Sequence, residues 1–560
     1  MAKTFTRADF LRFKQAPKAP IPTPPGGDNL DKYTGEWTFE TAAHLLRRAT
    51  FGASLQQMRD AANSDLDSII NQLFEELPLP DEPINFILED DPFVPIGESW
   101  VNQPYVGRDA DPDFAQQQQI TRRRSLRAWI MQAIFKSGIN IREKMTLFWH
   151  NHFVIQSSII QDPNFVYNYI HTIRQNALGN FKDFVGKITI DPAMLRYLNG
   201  NQNNQNAPNE NYARELFELF TIGKGELAGP NDYTTFTEDD VVAAAKVLTG
   251  WRDDGYGGRN GGVASSRFVG PLHDRSNKEF SHRFNNTVIS NQLETEYLAL
   301  IDMIFEQEEV SRFICRKLYR WFVYYDINEE VEANIIEPMA EIMRNNNYDI
   351  VEPLKVLLSS NHFFNICNIG PMIKNPIDFF SQMFVHHEVG FPQNPLLEYR
   401  IHNRLTSVFE SLEMIYFEPP NVAGWKPYYQ EPQFYRIWIN SVTLASRQNI
   451  TNLLMSGDVN IGDFNLTIDP LAYIENFDNP YDPNALIHEI ARYIFPNGIT
   501  ETQKDFLKEI LIPGLPDFEW TVEYSDYVGD PEDEDKKRGV ETKLRSLFSA
   551  FFSMPEYYLS

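Results

Sequence analysis

Three short segments carry side chains that can bind a metal or move a proton. In REKMTLFWHNHF, 142–153, His150 and His152 stand two apart at the end of an amphipathic helical pattern. In NAPNENYARELFELFTIG, 206–223, the charged groups Glu210, Arg214, Glu215 and Glu218 crowd a segment whose Leu216, Leu219 and Phe220 form an apolar stripe. In RFVGPLHDRSNKEF, 267–280, His273, Asp274 and Lys278 lie in a loop-like stretch. If the three converge, the imidazoles of His150 and His152 with Glu215, and Glu210 beside it, form an N/O ligand set. Such a set suits Zn, Mn or Fe(II) rather than calcium. A metal-bound water would then act as nucleophile, with Glu210, His273 or Asp274 moving protons and Arg214 or Lys278 holding an anionic group. An oxygen-activating iron site is the alternative within the enzyme class.

The same residues support a second reading. Carboxylates beside a core stripe are costly unless paired, and Arg214 is four residues from Glu210, on the same helical face. Two histidines one residue apart point to one side only where the backbone is extended. The metal reading therefore needs the helix to fray at His150. In the other reading the pair are hydrogen-bonded core residues or sit on the helix C-terminal dipole. The chain then becomes a non-catalytic scaffold or envelope-assembly protein with a buried salt-bridge network.

These residues need helices to position them. Asn209 is a good N-cap and Gly223 a good stop for a helix between them. Thr237 followed by Asp240 predicts a capping box for TEDDVVAAAKVL, which ends at Gly250. Helical spacing also predicts helices in 38–52, 66–77, 113–138, 141–149, 164–200 and 292–365. The Gly-rich DDGYGGRNGG, 253–262, lacks the Lys-Ser or Lys-Thr of a phosphate-cradling loop and reads as a lid or a plain linker. FEPPNVAGWKPYYQEPQFYRIW, 417–438, reads as irregular, with Trp425, Tyr428, Tyr429 and Trp438 lining a groove or packed on the core. Residues 513–538 read as mostly loop. The expected fold is mainly α: one large multi-helical domain, 37–560, with long irregular loops. An extended, Pro-rich N-terminal strap, 1–36, precedes it.

With 560 residues, 13% aromatic, the chain can bury a large core. Its 77 acidic against 50 basic residues leave a net charge of −27, which disfavours nucleic acid as a partner. No apolar run is long enough to predict direct membrane insertion, and the start lacks the apolar region of a secretory signal, which predicts a cytoplasmic protein. Cys315 and Cys367, far apart in apolar surroundings, predict two buried thiols rather than a disulfide or zinc framework.

The motifs LLRRATFG (45–52), REKMTLFWHNHF (142–153), DPAMLRYLNG (191–200), APNENYARELFELFTIG (207–223), YTTFTEDDVVAAAKVLTGWR (233–252), HDRSNKEF (273–280) and PPNVAGW (419–425) occur in that order. In these the chain resembles a large bacterial family catalogued as domain of unknown function 1800, over roughly residues 38–560. The resemblance implies a large, mostly helical domain whose shared polar motifs are WHNHF, NENYARE and HD with the following Lys278. It supplies no reaction. It also implies frequent export and, as a partner, a protein resembling the sulfatase and alkaline-phosphatase superfamily.

Overall fold

The structure, a computed structural model, describes residues 28–107, 110–457, 459–461 and 464–560. Most of the proposed strap, including the Pro-rich APKAPIPTPP, lies outside the described residues. Its last part packs against the body: Tyr33 N–H donates to Ser359 O at 2.8 Å, and His362 faces Asp28 at 2.5 Å.

The described chain is mainly helical, as expected, with long irregular loops and short antiparallel hairpins between the helices. Seven helices open on Asp or Asn followed by Pro, at Asp111, Asp162, Asp191, Asn375, Asn394, Asp469 and Asp482. In each the carboxylate or amide oxygen accepts a free backbone N–H of the first turn, where the proline has none to leave unpaired. The helices that position the motifs are α1 (Phe39–Ala49), α2 (Pro112–Phe135), α3 (Arg142–His152), α4 (Pro163–Asn176) and α5 (Asn211–Glu215). They continue with α6 (Glu238–Val247), α7 (Glu296–Phe305), α8 (Glu309–Phe322) and α9 (Pro376–His386). One contiguous apolar core runs through all of them, and α3 is buried along most of its length. No helix among the described residues is long and apolar enough to cross a membrane.

Several local expectations need correction. The helix expected between Asn209 and Gly223 starts at Asn211, and from Leu216 to Thr221 it widens into a π-helix. Gly223 does end it, at φ +72°. Residues 164–200, read from spacing as two helices of which the second is FKDFVGKITIDPAMLRYLNG, hold three, because Asp191 caps a new one at Pro192. Residues 513–538 are not mostly loop: Phe518–Gly529 is a helix that buries Trp520, Tyr524 and Tyr527. Its outward acidic residues dilute the apolar period on which sequence reading relies. Cys315 is buried, but Cys367 is exposed; both are free thiols.

The Gly-rich segment is tied down. Strands Trp251–Asp254 and Ser265–Phe268 pair as a hairpin, and the turn between them docks on the start of α4. There Gly257 N–H donates to Asp162 Oδ2 at 2.7 Å, and Asn164 Nδ2 donates to Gly262 O at 2.8 Å. Arg196 stacks on Tyr256 at 3.4 Å.

Candidate functional site

The helix α3 runs unbroken through His152. Each residue turns about 100°, so side chains two apart point to nearly opposite sides. The rings of His150 and His152 accordingly diverge. His150 is fully buried, and its Nδ1–H donates to the Tyr169 hydroxyl at 3.0 Å. That assignment follows from Tyr169 donating its own proton to Phe153 O. Nε2 of His150 accepts the Phe417 N–H at 3.2 Å, and the ring stacks on Tyr416 at 5.1 Å. Across the helix, His152 donates from Nε2 to Phe220 O at 3.0 Å and accepts at Nδ1 from Lys317 Nζ, also at 3.0 Å. Burial pushes His150 down to about 3 and His152 well below its ordinary value. Both are neutral rings with both nitrogens committed.

Between them Asn151 accepts the Trp425 N–H at 2.8 Å. WHNHF and PPNVAGW are therefore two sides of one clamp: His150 and Asn151 hold the irregular segment 416–425 onto α3. Gly424 is required by this contact. Its φ is +93°, and a Cβ there would lie 2.3 Å from Asn151 Oδ1 and 2.5 Å from Asn151 O. Gly424→Ala is expected to destabilise the fold by about 2–4 kcal/mol through strain and backbone overlap. Unchanged urea denaturation of that variant would show the clamp to be looser than described.

His152 closes a second clamp. A helix end leaves carbonyls without partners, and here Leu219 O and Phe220 O of the π-helix accept from Lys317 Nζ (2.9 Å) and His152. Burial, followed by repulsion from Arg320, brings Lys317 down to about 7.

The NENYARE charges form their own cluster near the surface. Arg214 donates to Glu238 of α6 at 2.9 and 2.7 Å and to Glu210 at 3.2 Å. The expected Glu210–Arg214 pair is present, but Glu238 completes it. Glu215 is half-buried and accepts no hydrogen bond among the described residues; burial, and then Glu218, raise it to about 7.

The third motif folds into a fully buried triad. Lys278 Nζ lies 2.6 Å from Oε1 of Glu296, the first residue of α7, and His273 Nε2 lies 3.0 Å from Oε2 of the same carboxylate. His273 Nδ1 faces Thr249 O at 2.9 Å. Asp274 stands outside this core, its Oδ1 accepting from Ser276 N at 2.8 Å, while Lys278 Nζ also donates to Asp274 O at 2.5 Å. The triad joins the end of α6 to the segment 273–279 and the start of α7.

The eight candidate residues thus lie apart: His150 and His152 in two clamps, Glu210 and Arg214 in a surface cluster beside Glu215, and His273 and Lys278 in the buried triad beside Asp274. Among the described residues no group of three or more His, Cys, Asp or Glu is placed to hold a metal ion. His150 and His152 diverge because α3 does not fray, and neither offers a free lone pair. Hence His150, His152 and Glu215 do not fit a shared metal. Sequence reading missed Glu296, Lys317, Glu238 and Tyr169. Glu296 sits at the head of the apolar pattern EYLALIDMIF, where a lone carboxylate reads as an ordinary first-turn acid.

A profile of the family described as "Protein of unknown function (DUF1800)" matches residues 44–559. The chain belongs to the DUF1800 family. No curated protein and no solved structure matches it. The segments WHNHF, NENYARE, HDRSNKEF and PPNVAGW that build the clamps, the Arg214 cluster and the triad all lie within the matched range.

Proposed function

We propose that the chain is a non-catalytic helical scaffold whose motif residues clamp irregular segments into a partner-binding or envelope-assembly surface. The observation that supports this reading is the commitment of every ring nitrogen of His150 and His152 to opposite sides of α3. One clamp holds 416–425, the second the end of the π-helix, and the buried triad the segment 273–279. In this reading the polar motifs stabilise and orient rather than react. A protein of the sulfatase and alkaline-phosphatase type, implied by the family resemblance, is the first partner to test.

Metal analysis of protein purified without added metal tests it directly. The expected result is no stoichiometric metal, with His150→Ala and His152→Ala each less stable by about 2–4 kcal/mol, the usual cost of a vacated buried site. Stoichiometric Zn, Mn or Fe, lost in a folded His150→Ala or Glu215→Ala variant, would return the metal-dependent hydrolase reading. A clean monomer that shows no affinity for the sulfatase-type protein would count against the scaffold.

A further inference from the structure

The most unusual electrostatics of this acidic chain lie outside these networks, with Arg320 next to the His152 clamp. A partly enclosed cavity of about 30 Å³ is walled by Arg47 and Arg48 of α1, Lys144 of α3, Arg320 of α8, and Lys374 just before α9. Asp378 is the one acidic side chain on its wall, which the terminal residue Ser560 also lines with its carboxylate. Five cationic side chains against Asp378 and the terminal carboxylate is the reverse of the chain's overall balance of 50 basic to 77 acidic residues.

Asp378 is already spent. One oxygen contacts Lys144 Nζ, and the other accepts from Asn375 Nδ2 at 2.8 Å. The hydrogen bonds of the remaining cations among the described residues go to neutral carbonyls, and Lys374 and Arg320 also lie over the rings of Tyr557 and Phe434. Arg47 donates to Tyr493 O at 2.6 Å, Arg48 to Asn368 O at 3.1 Å, Lys374 to Tyr557 O at 3.0 Å and Arg320 to Tyr325 O at 3.2 Å. Such bonds satisfy donors without neutralising charge. Burial pulls Arg47 and Arg48 down to about 10, and burial with Arg47 holds Lys374 well below its ordinary value.

Donors are also left over. Arg47 Nε, Arg48 Nε and Trp321 Nε1 have no acceptor, and these wall residues are only 2%, 4% and 6% exposed. Buried N–H groups without acceptors are rare, and each calls for a partner. The donors come from α1 and α8, with the lysines on two further segments, so an acceptor is needed in several directions at once. That geometry suits a tetrahedral group better than a planar carboxylate, which takes its donors near one plane. A cavity of this size holds about two water-sized bodies, hence a single oxyanion group and not a whole cofactor.

We propose that this cavity is a binding site for a tetrahedral oxyanion, phosphate or sulfate, taken up free or as the terminal group of an ester. The guanidinium groups of Arg47 and Arg48 and the Trp321 indole supply donors, and Lys144 and Lys374 supply charge. The site shares no residue with the WHNHF, NENYARE or HD networks' candidate groups, so it stands whether or not those motifs form a scaffold.

The test uses the full chain, freed of phosphate and sulfate, with calorimetry and thermal melting at constant ionic strength. Inorganic phosphate or sulfate should bind once per chain and raise the melting temperature, whereas acetate and chloride should not. Methyl phosphate separates the sources: binding at least as tight as inorganic phosphate indicates an ester terminus, and exclusion of the methyl ester indicates the free anion. Arg48→Met, which keeps much of the packed stem, should weaken binding at least about tenfold, the loss of one charge-assisted hydrogen bond. If that variant does not fold, Trp321→Phe removes one N–H at little change of shape and should weaken binding several-fold with stability retained. Absence of phosphate and sulfate binding at millimolar concentration overturns the proposal. So does equal binding of acetate, or binding unchanged in both Arg48→Met and Trp321→Phe.

Discussion

Acidification from about pH 7.5 to about pH 5.5 is expected to remove about 3 kcal/mol of folding stability, with the urea midpoint falling accordingly. His44, His150, His152, His386 and His387 are all buried, and burial holds each below the ordinary histidine value, to about 3 for His150 and about 4 for His387. At pH 5.5 the unfolded chain protonates these rings while the folded chain does not. Stability contributed by a depressed histidine is fully present above the unfolded value near 6.5. It is lost progressively as pH falls from there towards the folded value. Each ring costs about 1.4 kcal/mol per pH unit in that window.

Three carboxyls act in the opposite sense. Burial brings Asp191 and Glu215 to about 7, so the folded chain binds their protons first and gains stability as pH falls through that value, and burial raises Asp162 in the same direction. Glu215 is half-exposed and counts for less. Five rings outweigh three carboxyls, which leaves the net loss. A urea midpoint that is flat from pH 7.5 to 5.5 would mean that the rings are protonated in the folded chain.

Glu296→Gln is expected to cost about 3–5 kcal/mol, the penalty for removing one partner of a buried ion pair and leaving the other charge unpaired. The side chains of Glu296, Lys278 and His273 are wholly inaccessible, and the lost charge would leave the Lys278 ammonium beside a neutral amide. Replacing both partners, Lys278→Met with Glu296→Leu, should recover much of that loss, because the desolvation cost of two charges disappears with them. A double-mutant cycle by urea denaturation at about pH 7.5 reads the coupling. Single variants within about 1 kcal/mol of the parent would show that water reaches the triad and screens it.

Local interactions were legible without the fold. Thr237 and Asp240 formed the expected capping box, and Gly223 ended its helix with positive φ. Arg214 found Glu210 one turn away. All of these are set within about four residues, where backbone geometry alone brings donor to acceptor. The mainly helical class and the family followed from the same kind of signal repeated along the chain.

The direction of a side chain and the identity of its distant partner were decided only by packing. Whether α3 frayed at His150 depended on the segment 416–425 docking against it, more than 260 residues away in sequence. Once docked, the helix continued, and its rotation sent the two imidazoles apart. Glu296 became the partner of His273 and Lys278 because α7 packs there, which nothing in its own apolar surroundings announces. Arg47, Arg48, Lys144 and Lys374 read singly as helix-end or surface cations, and their gathering around one cavity exists only where α1, α3, α8 and the segment before α9 meet. By itself the sequence determined where helices begin and end and which charges pair within a turn. Tertiary structure alone decided which buried charges share a space, because burial and long-range pairing are properties of the packed chain and not of any segment.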